Sequence, residues 1–159
     1  MPVTRGVPQG AIQSPLLFCI YLNDLPLAPS SCKLESYVDD SKLFSSSPLI
    51  ELDAAIKKLE QDLLGIAQWC CENHLLIRPE KTKLLFLGAR QILNWLPKNP
   101  SMSFLSTTVK LVASAKNLGV ILDPHLIYDY HISKSVSSCF SKLHQLELEK
   151  AMTKRHLNC

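Results

Sequence analysis

The sequence has no apolar run long enough to cross a membrane. The longest run, Leu16 to Leu22, falls well short of the roughly 20 apolar residues that a spanning helix needs. The first residues also lack the charged and apolar regions of a secretory signal peptide. We therefore expect an intracellular protein, in the nucleus or the cytoplasm, with no membrane partner. No feature of the sequence indicates an oligomeric state.

Strong net charge and internal repeats are also absent. The chain of 159 residues carries a formal net charge of +3, with 47% apolar and 19% charged residues. This balance is typical of one globular domain with a real core rather than of a disordered chain. The mild positive charge permits an anionic partner but does not require one.

The cysteines do not form the pattern of a disulfide framework or a zinc finger. They number six, at positions 19, 32, 70, 71, 139 and 159. Cys70 and Cys71 are adjacent inside a helical pattern and no signal peptide is present, so we expect reduced, mostly buried thiols. Cys70, Cys71 and His74 lack a second ligand pair at finger spacing.

Two helices are predicted in the first half of the chain. Ser14-Pro15 is typical of a helix start, and it precedes a mostly buried helix that Pro26 and Pro29 end. Apolar residues then recur at spacings of three and four from Leu52 to Cys70, which predicts a long amphipathic helix. Its charged face, which includes Glu60 and Asp62, is expected to be solvated.

Short strands and a final helix are predicted in the second half. The strand candidates are Leu75–Arg78, Lys83–Leu87, Val109–Val112 and Leu118–Leu122. Gly119 inside the last of these indicates a bulge or a close backbone approach. Residues 89–108 are poorly patterned and are expected to form a mobile loop, and residues 130–156 are helical in pattern.

The chain is organised around a pair of adjacent carboxylates, Asp39 and Asp40. Two β-prone runs, Cys32–Val38 and Lys42–Phe44, flank them. Aspartate is depleted in strand interiors and favoured in turns, so the pattern predicts a tight hairpin with both aspartates at its tip. A polar turn alone explains such a pair. A Mg²⁺ site is the alternative, because hard divalent cations take carboxylate oxygens.

A loop with two glycines around a proline precedes the first helix. In this loop, Gly6 to Gly10, backbone can approach a ligand closely, and Gly10 is free to adopt a positive φ. A glycine loop that feeds a helix N-terminus could hold a phosphate or a base edge. Loops of glycine and proline are common, however, and the loop alone does not define a site.

Five segments in a fixed order identify a family resemblance. They are Arg5-Gly6-Val7-Pro8-Gln9-Gly10, Pro15-Leu16-Leu17-Phe18, Tyr37-Val38-Asp39-Asp40, Pro79-Glu80-Lys81-Thr82 and Lys116-Asn117-Leu118-Gly119-Val120. Together they resemble the reverse transcriptase of LINE-type (non-LTR) retrotransposons, over about residues 3–150. The resemblance implies an α+β fold: a right-hand polymerase palm, with an antiparallel sheet backed by helices, that runs into a helical thumb.

The resemblance also implies a role for each matched residue. Asp39 and Asp40 would bind Mg²⁺, or Mn²⁺, for two-metal nucleotidyl transfer, and Lys81 would protonate the departing pyrophosphate. The template and nucleotide would contact Arg5, Gly6, Pro8, Gln9, Gly10, Tyr37 and Val38. The primer grip would comprise Leu118, Gly119 and Val120. The implied partners are an RNA template, a DNA primer and a deoxynucleoside triphosphate.

The resemblance implies a fragment of that enzyme. The family takes another catalytic aspartate from a strand before the glycine loop, and only five residues precede Gly6. We therefore expect a truncated palm over residues 1–128, the start of a thumb over 129–159, and no fingers. Enzymatic activity of the chain alone is uncertain, and we expect no primer extension by it. The aspartates are expected within about 10 Å of the glycine loop, with Lys81 on the same side of the sheet, because template, primer end and metals must meet in one cleft.

Two other functions remain open from the sequence. One is a non-catalytic remnant with at most weak nucleic-acid binding, which the modest charge favours. The other is a metal-dependent phosphoesterase built on the aspartate pair. Such sites normally cluster histidines and aspartates, whereas the five histidines here are scattered along the chain.

Overall fold

The structure, a computed structural model, describes residues 10–97, 100 and 102–157, the last seven as helical backbone only. The chain divides into two compact units. The described residues of Met1–Leu84 and Asn94–Val112 form the first unit. Those of Leu85–Leu93 and Ala113–Cys159 form the second. The predicted contacts of Arg5, Gly6, Pro8 and Gln9 lie outside the described residues, as does Cys159.

The first unit contains two helices, α1 (Ser14–Tyr21) and α2 (Leu52–Glu72). The predicted long amphipathic helix is confirmed as α2. A capping motif ends it: the backbone N–H of His74 donates to the carbonyl of Cys71, and that of Leu75 donates to the carbonyl of Cys70. His74 has the positive φ of 55° that this motif requires.

The strands of the first unit form two small sheets. Strands β1 (Lys33–Tyr37) and β2 (Asp40–Phe44) form an antiparallel hairpin. Strand β3 (Lys83–Leu84) runs parallel to β5 (Thr107–Leu111), and β4 (Met102–Phe104) runs antiparallel to β5. The fold is thus mixed α/β, with an antiparallel sheet and a mixed sheet in place of the single antiparallel sheet that was expected.

The hydrophobic core of the first unit lies against α2. Leu22, which caps the end of α1, and Leu25, which begins the 3₁₀ turn Leu25–Leu27, pack with Ile66 and Cys70 of α2. The half-buried side chains around this cluster include Phe18, Leu34, Leu43, Trp69, Leu75 and Ile77. The core therefore holds the hairpin through the paired leucines of β1 and β2.

The second unit contains a short helix, a hairpin and a long helix. They are α3 (Arg90–Leu93), the antiparallel strands β6 (Ala115–Asn117) and β7 (Val120–Leu122), and α4 (Asp129–Leu157). The predicted terminal helix is confirmed as α4. Asp123 fixes the connection from β7 to α4, because its carboxylate accepts hydrogen bonds from the backbone N–H groups of His125, Ile127 and Tyr128. These bonds lower the pKa of Asp123.

Three sequence predictions about this scaffold are wrong. Residues 75–78 form no strand, because Leu75 completes the cap of α2 and the segment then enters a 3₁₀ turn at Pro79–Lys81. Residues 89–108 contain α3 and β4 rather than an irregular loop throughout. The third concerns α1, which was predicted to be mostly buried: Leu16 and Ile20 are each 64% exposed.

The cysteines of the described residues are free, as predicted. Their predicted burial is wrong for most of them: Cys70 is buried, but Cys19, Cys71 and Cys139 are exposed. Among the described residues, no helix combines the length and the apolarity that crossing a membrane requires.

Candidate functional site

The β1–β2 hairpin turns through two residues, Val38 and Asp39. Tyr37 is paired with Asp40 across the turn. The prediction of a tight hairpin with the aspartates at its tip is therefore correct in its essentials. Asp39 lies in the turn itself, and Asp40 is the first residue of β2.

The two faces of the hairpin differ in character. On one face Glu35 is opposite Lys42, and their side chains form an ion pair with an N–O distance of 3.5 Å. Asp40 lies on this same face, because the side chains of alternate residues share a face. On the other face Leu34 and Leu43 are opposite each other and pack against the core. Within the part of the unit that the structure describes, the hairpin thus packs on the core through its base.

The tip of the hairpin presents its carboxylates to solvent. Asp39 and Asp40 are both exposed. Adjacent carboxylates supply the hard oxygen donors that Mg²⁺ and Mn²⁺ prefer, so this donor set fits such a cation. No group of three or more His, Cys, Asp or Glu side chains suited to a metal occurs among the residues that the structure describes.

The turn stores backbone strain at Val38. This residue has a φ of 57°, in the left-handed region that a β-branched side chain rarely adopts. Such a conformation costs about 1–3 kcal/mol and persists only where surrounding contacts impose it. The turn geometry imposes this φ on Val38, because a two-residue hairpin turn needs a positive φ at its first residue.

Replacing Val38 by glycine should therefore stabilise the protein. Glycine adopts a positive φ without strain, and its greater freedom in the unfolded chain offsets only part of that gain. We expect the free energy of unfolding of Val38→Gly to rise by about 1 kcal/mol in urea denaturation. The matched control is Lys33→Gly, at an exposed strand position without positive φ, which should lower stability. A loss of equal size in both variants would contradict the strain at Val38.

A buried carboxylate lies beneath the base of the hairpin. Asp62, on α2, is only 3% exposed, so its predicted place on a solvated helix face is wrong. Its Oδ1 accepts hydrogen bonds from the backbone N–H and the hydroxyl of Ser30, both at 3.0 Å. Its Oδ2 accepts from the N–H groups of Ser31 at 3.0 Å and Cys32 at 2.6 Å. Asp62 thus joins α2 to the residues that lead directly into β1.

The hydrogen bonds dominate the ionisation of Asp62. Burial is the largest single effect and acts to raise its pKa, but the bonds from Ser30, Cys32 and Ser31 together outweigh it and lower the pKa to about 2. The pKa of the neighbouring Cys32 thiol shifts in the opposite direction. Burial, then the hydrogen bond with Asp62 and its negative charge, raise the pKa of Cys32 to about 11.

The other predicted site residues of the first unit are Gly10 and Lys81. Gly10 has the positive φ that was expected of it, 84°, and no atom of the described residues lies within 4 Å of where its Cβ would be. Lys81 is exposed at the end of the 3₁₀ turn that precedes β3. The predicted distance of about 10 Å from the aspartates to the Gly6–Gly10 loop depends on residues outside the described ranges.

The predicted primer-grip residues lie in the second unit. Leu118 and Gly119 form the two-residue turn between β6 and β7, and Val120 begins β7. Both turn residues have positive φ, 45° and 87°, as tight hairpin turns require. Within the described part of the chain, no neighbouring atom lies within 4 Å of where a Cβ of Gly119 would be. The predicted strand Leu118–Leu122 is therefore wrong at its first two residues, and the turn, rather than a bulge or a close approach within a strand, explains the glycine.

Comparison with known proteins identifies related sequences. The family model described as "Reverse transcriptase (RNA-dependent DNA polymerase)" matches residues 1–122. A probable RNA-directed DNA polymerase from transposon BS of Drosophila melanogaster is 28% identical over 148 residues, which is 89% of this chain and 16% of that protein. The RNA-directed DNA polymerase from mobile element jockey of the same species is 25% identical, over 83% of the chain and 14% of the relative. No solved structure is a significant match.

The chain spans only a small part of these relatives. A putative 115 kDa protein in the type-1 retrotransposable element R1DM of D. melanogaster, 28% identical, is covered over 12% of its length, compared with 84% of this chain. The similarity therefore relates this chain to one segment of those proteins. The residues that the family model matches include Tyr37–Asp40, Lys81 and Leu118–Val120.

Proposed function

Because the chain belongs to the reverse transcriptase (RNA-dependent DNA polymerase) family, we propose that it carries the catalytic carboxylates of a retrotransposon RNA-directed DNA polymerase. The observation that carries this proposal is the β1–β2 hairpin, whose tip presents Asp39 and Asp40 to solvent. A buried polar turn would have its carboxylates satisfied within the protein. Exposed carboxylates at the end of a packed hairpin suit a metal and its substrate instead.

Asp39 and Asp40 would hold the divalent cations, Mg²⁺ or Mn²⁺, that polymerases of this family generally use. The chemistry that such cations supply is activation of the primer 3′-hydroxyl and charge neutralisation at the leaving pyrophosphate. The ion pair of Glu35 with Lys42 keeps that lysine engaged on the face that also carries Asp40. Among the residues that the structure describes, no lysine or arginine forms an ion pair with either aspartate, so a cation from solution could bind there.

We assign the remaining roles by position in the family motifs. Lys81 would protonate the departing pyrophosphate, and Tyr37 and Val38 would contact the nucleotide or primer end. Leu118, Gly119 and Val120 would grip the primer. The segment to residue 128 would belong to a palm and α4 to a thumb. The substrates would be an RNA template, a DNA primer and deoxynucleoside triphosphates.

If RNA and DNA are partners of this chain, it should bind nucleic acid with an affinity that falls as the salt concentration rises. Lys134, Lys142 and Lys150 lie along α4 and are exposed, and lysines that neutralise phosphates release counterions. We expect weak binding of a fluorescent RNA–DNA primer-template, with affinity falling between 50 and 200 mM salt by about tenfold for every two phosphate contacts. Fluorescence anisotropy measures both the affinity and its dependence on salt concentration.

The control for that titration is the paired variant Lys134→Gln with Lys142→Gln. It should flatten the plot of log affinity against log salt, with a slope smaller by roughly 0.9 for each lysine that contacts a phosphate. Anisotropy that does not change on addition of the duplex at low salt would contradict the binding proposal. A remnant without nucleic-acid partners would give that result.

A further inference from the structure

Among the described residues, the core contacts of the hairpin that carries the aspartates lie at its base. Leu34 and Leu43, near the base, are half-buried against the core. Beyond them, Ser36 and Ser41 are exposed, and their hydroxyl oxygens are 3.0 Å apart in a hydrogen bond. The outer half of the hairpin therefore projects from the core.

Small changes at this base become large displacements at the tip. A strand of five residues spans about 17 Å at 3.4 Å per residue. A tilt of about 10° at the base would move the tip by about 3 Å over that length. Groups that act on a substrate must be held within about 0.5 Å of their working geometry. The packing of two leucine side chains alone does not fix the tilt of the hairpin to that precision.

Asp62 supplies a directional anchor at that base. Its two carboxylate oxygens accept hydrogen bonds from three consecutive residues, Ser30, Ser31 and Cys32, which immediately precede β1. Bonds to an ionised acceptor are stronger than neutral ones and depend on direction. Three consecutive N–H groups aimed at one carboxylate fix both the position and the orientation of the chain as it enters the strand.

We propose that Asp62 is a positioning residue, which fixes the base of the β1–β2 hairpin to α2 and thereby sets the location of Asp39 and Asp40. The consequence for catalysis rests on the proposed function of the tip. The anchoring of the hairpin does not depend on that function and can be tested separately.

An amide cannot replace the carboxylate here. Each oxygen of Asp62 accepts at least two hydrogen bonds, so no acceptor position is left over. Asparagine keeps one oxygen and places an NH₂ group against N–H donors, either those of Ser31 and Cys32 or that of Ser30. Asp62→Asn therefore preserves shape and breaks half of the anchor.

The test is amide hydrogen exchange of Asp62→Asn compared with a core variant of similar destabilisation, Ile56→Ala. Ile56 is buried on α2 and is not a member of the cluster that packs against the hairpin. In Asp62→Asn we expect the β1–β2 amides to exchange at least about tenfold faster relative to the amides of α2, because local opening is selectively eased. In Ile56→Ala that ratio should stay at the wild-type value.

A milder variant protects the test against misfolding. Ser30→Ala removes only the hydroxyl bond to Asp62 and should raise the exchange ratio in the same direction by a few-fold. If exchange in Asp62→Asn and Ser30→Ala rises uniformly over hairpin and helix, Asp62 is only a stabilising core residue and the proposal is overturned.

A measurement of Mn²⁺ affinity distinguishes failure of this proposal from failure of the proposed metal-binding function. If Asp62 positions the tip, Mn²⁺ affinity should fall about tenfold in Asp62→Asn and stay unchanged in folded Ile56→Ala. If the wild-type chain binds no Mn²⁺ at the tip, the proposed function fails, while the exchange ratio still decides the anchoring role. Wild-type Mn²⁺ affinity in Asp62→Asn would overturn the positioning role.

Discussion

Replacing both tip aspartates, Asp39→Asn together with Asp40→Asn, is expected to abolish divalent-cation binding by the hairpin. The double variant keeps the size of both side chains and removes two negative charges from the tip. Mg²⁺ and Mn²⁺ bind ionised oxygens far better than amide oxygens, so the dissociation constant should rise by about two orders of magnitude or more. Isothermal titration calorimetry with MnCl₂ measures the change.

The matched control for this loss is Asp53→Asn. Asp53 is an exposed carboxylate in the first turn of α2, so its loss changes net charge without touching the hairpin. Binding in the control should equal that of the wild type. Equal loss in the control, or full binding in the double variant, would place the cation away from the tip.

The second large effect is a loss of stability in acid that Asp62 controls. The pKa of Asp62 is lowered to about 2 in the fold, from a usual 3.8. A lowered pKa means that its stabilisation is fully present above about pH 4 and is lost as the pH falls towards 2. The expected loss is on the order of 2 kcal/mol, measured as the free energy of unfolding in urea between pH 6 and pH 2.

Asp62→Asn is the control for that titration, because asparagine does not ionise in this range. Its free energy of unfolding should be lower than that of the wild type at pH 6, and the difference should shrink below pH 4. A difference that stays constant down to pH 2 would show that ionisation of Asp62 contributes nothing to the acid sensitivity.

The elements that the sequence predicted are those with a strong local pattern. The repeat of apolar residues from Leu52 to Cys70 predicted α2, because one face of a helix must be apolar to pack. Two β-prone runs around Asp39 and Asp40 predicted the hairpin, because aspartate favours a turn over a strand interior. In both cases the decisive residues are close together in the chain.

The features that the sequence did not reveal depend on distant partners. Asp62 is charged and was placed on the solvated face of α2, but its partners, Ser30 to Cys32, lie about thirty residues earlier. Glu60 has a similar role: it accepts a hydrogen bond from the N–H of Ser103 in β4 at 2.7 Å. The only sequence signal of such an anchor is the pair of serines before a strand, since backbone N–H groups outside helices and strands need other acceptors.

The sequence also did not predict correctly how far the side chains of α1 are buried. Its apolar composition predicted a buried helix, yet Leu16 and Ile20 are exposed. Composition shows that a helix can be buried but not what it packs against. The parallel pairing of β3 with β5 spans two residues on each strand, which is too short to leave a periodic signal.

The most direct test of a metal site at the hairpin tip is a Mn²⁺ titration of the isotope-labelled chain, followed by nuclear magnetic resonance. Bound Mn²⁺ broadens the amide signals of nearby residues, so it maps the site on the chain. Broadening should begin at Val38, Asp39 and Asp40 and disappear in the double asparagine variant. Broadening that begins elsewhere, for example around Asp123, or that persists unchanged in the double variant, would contradict the assignment of the hairpin as the catalytic metal site.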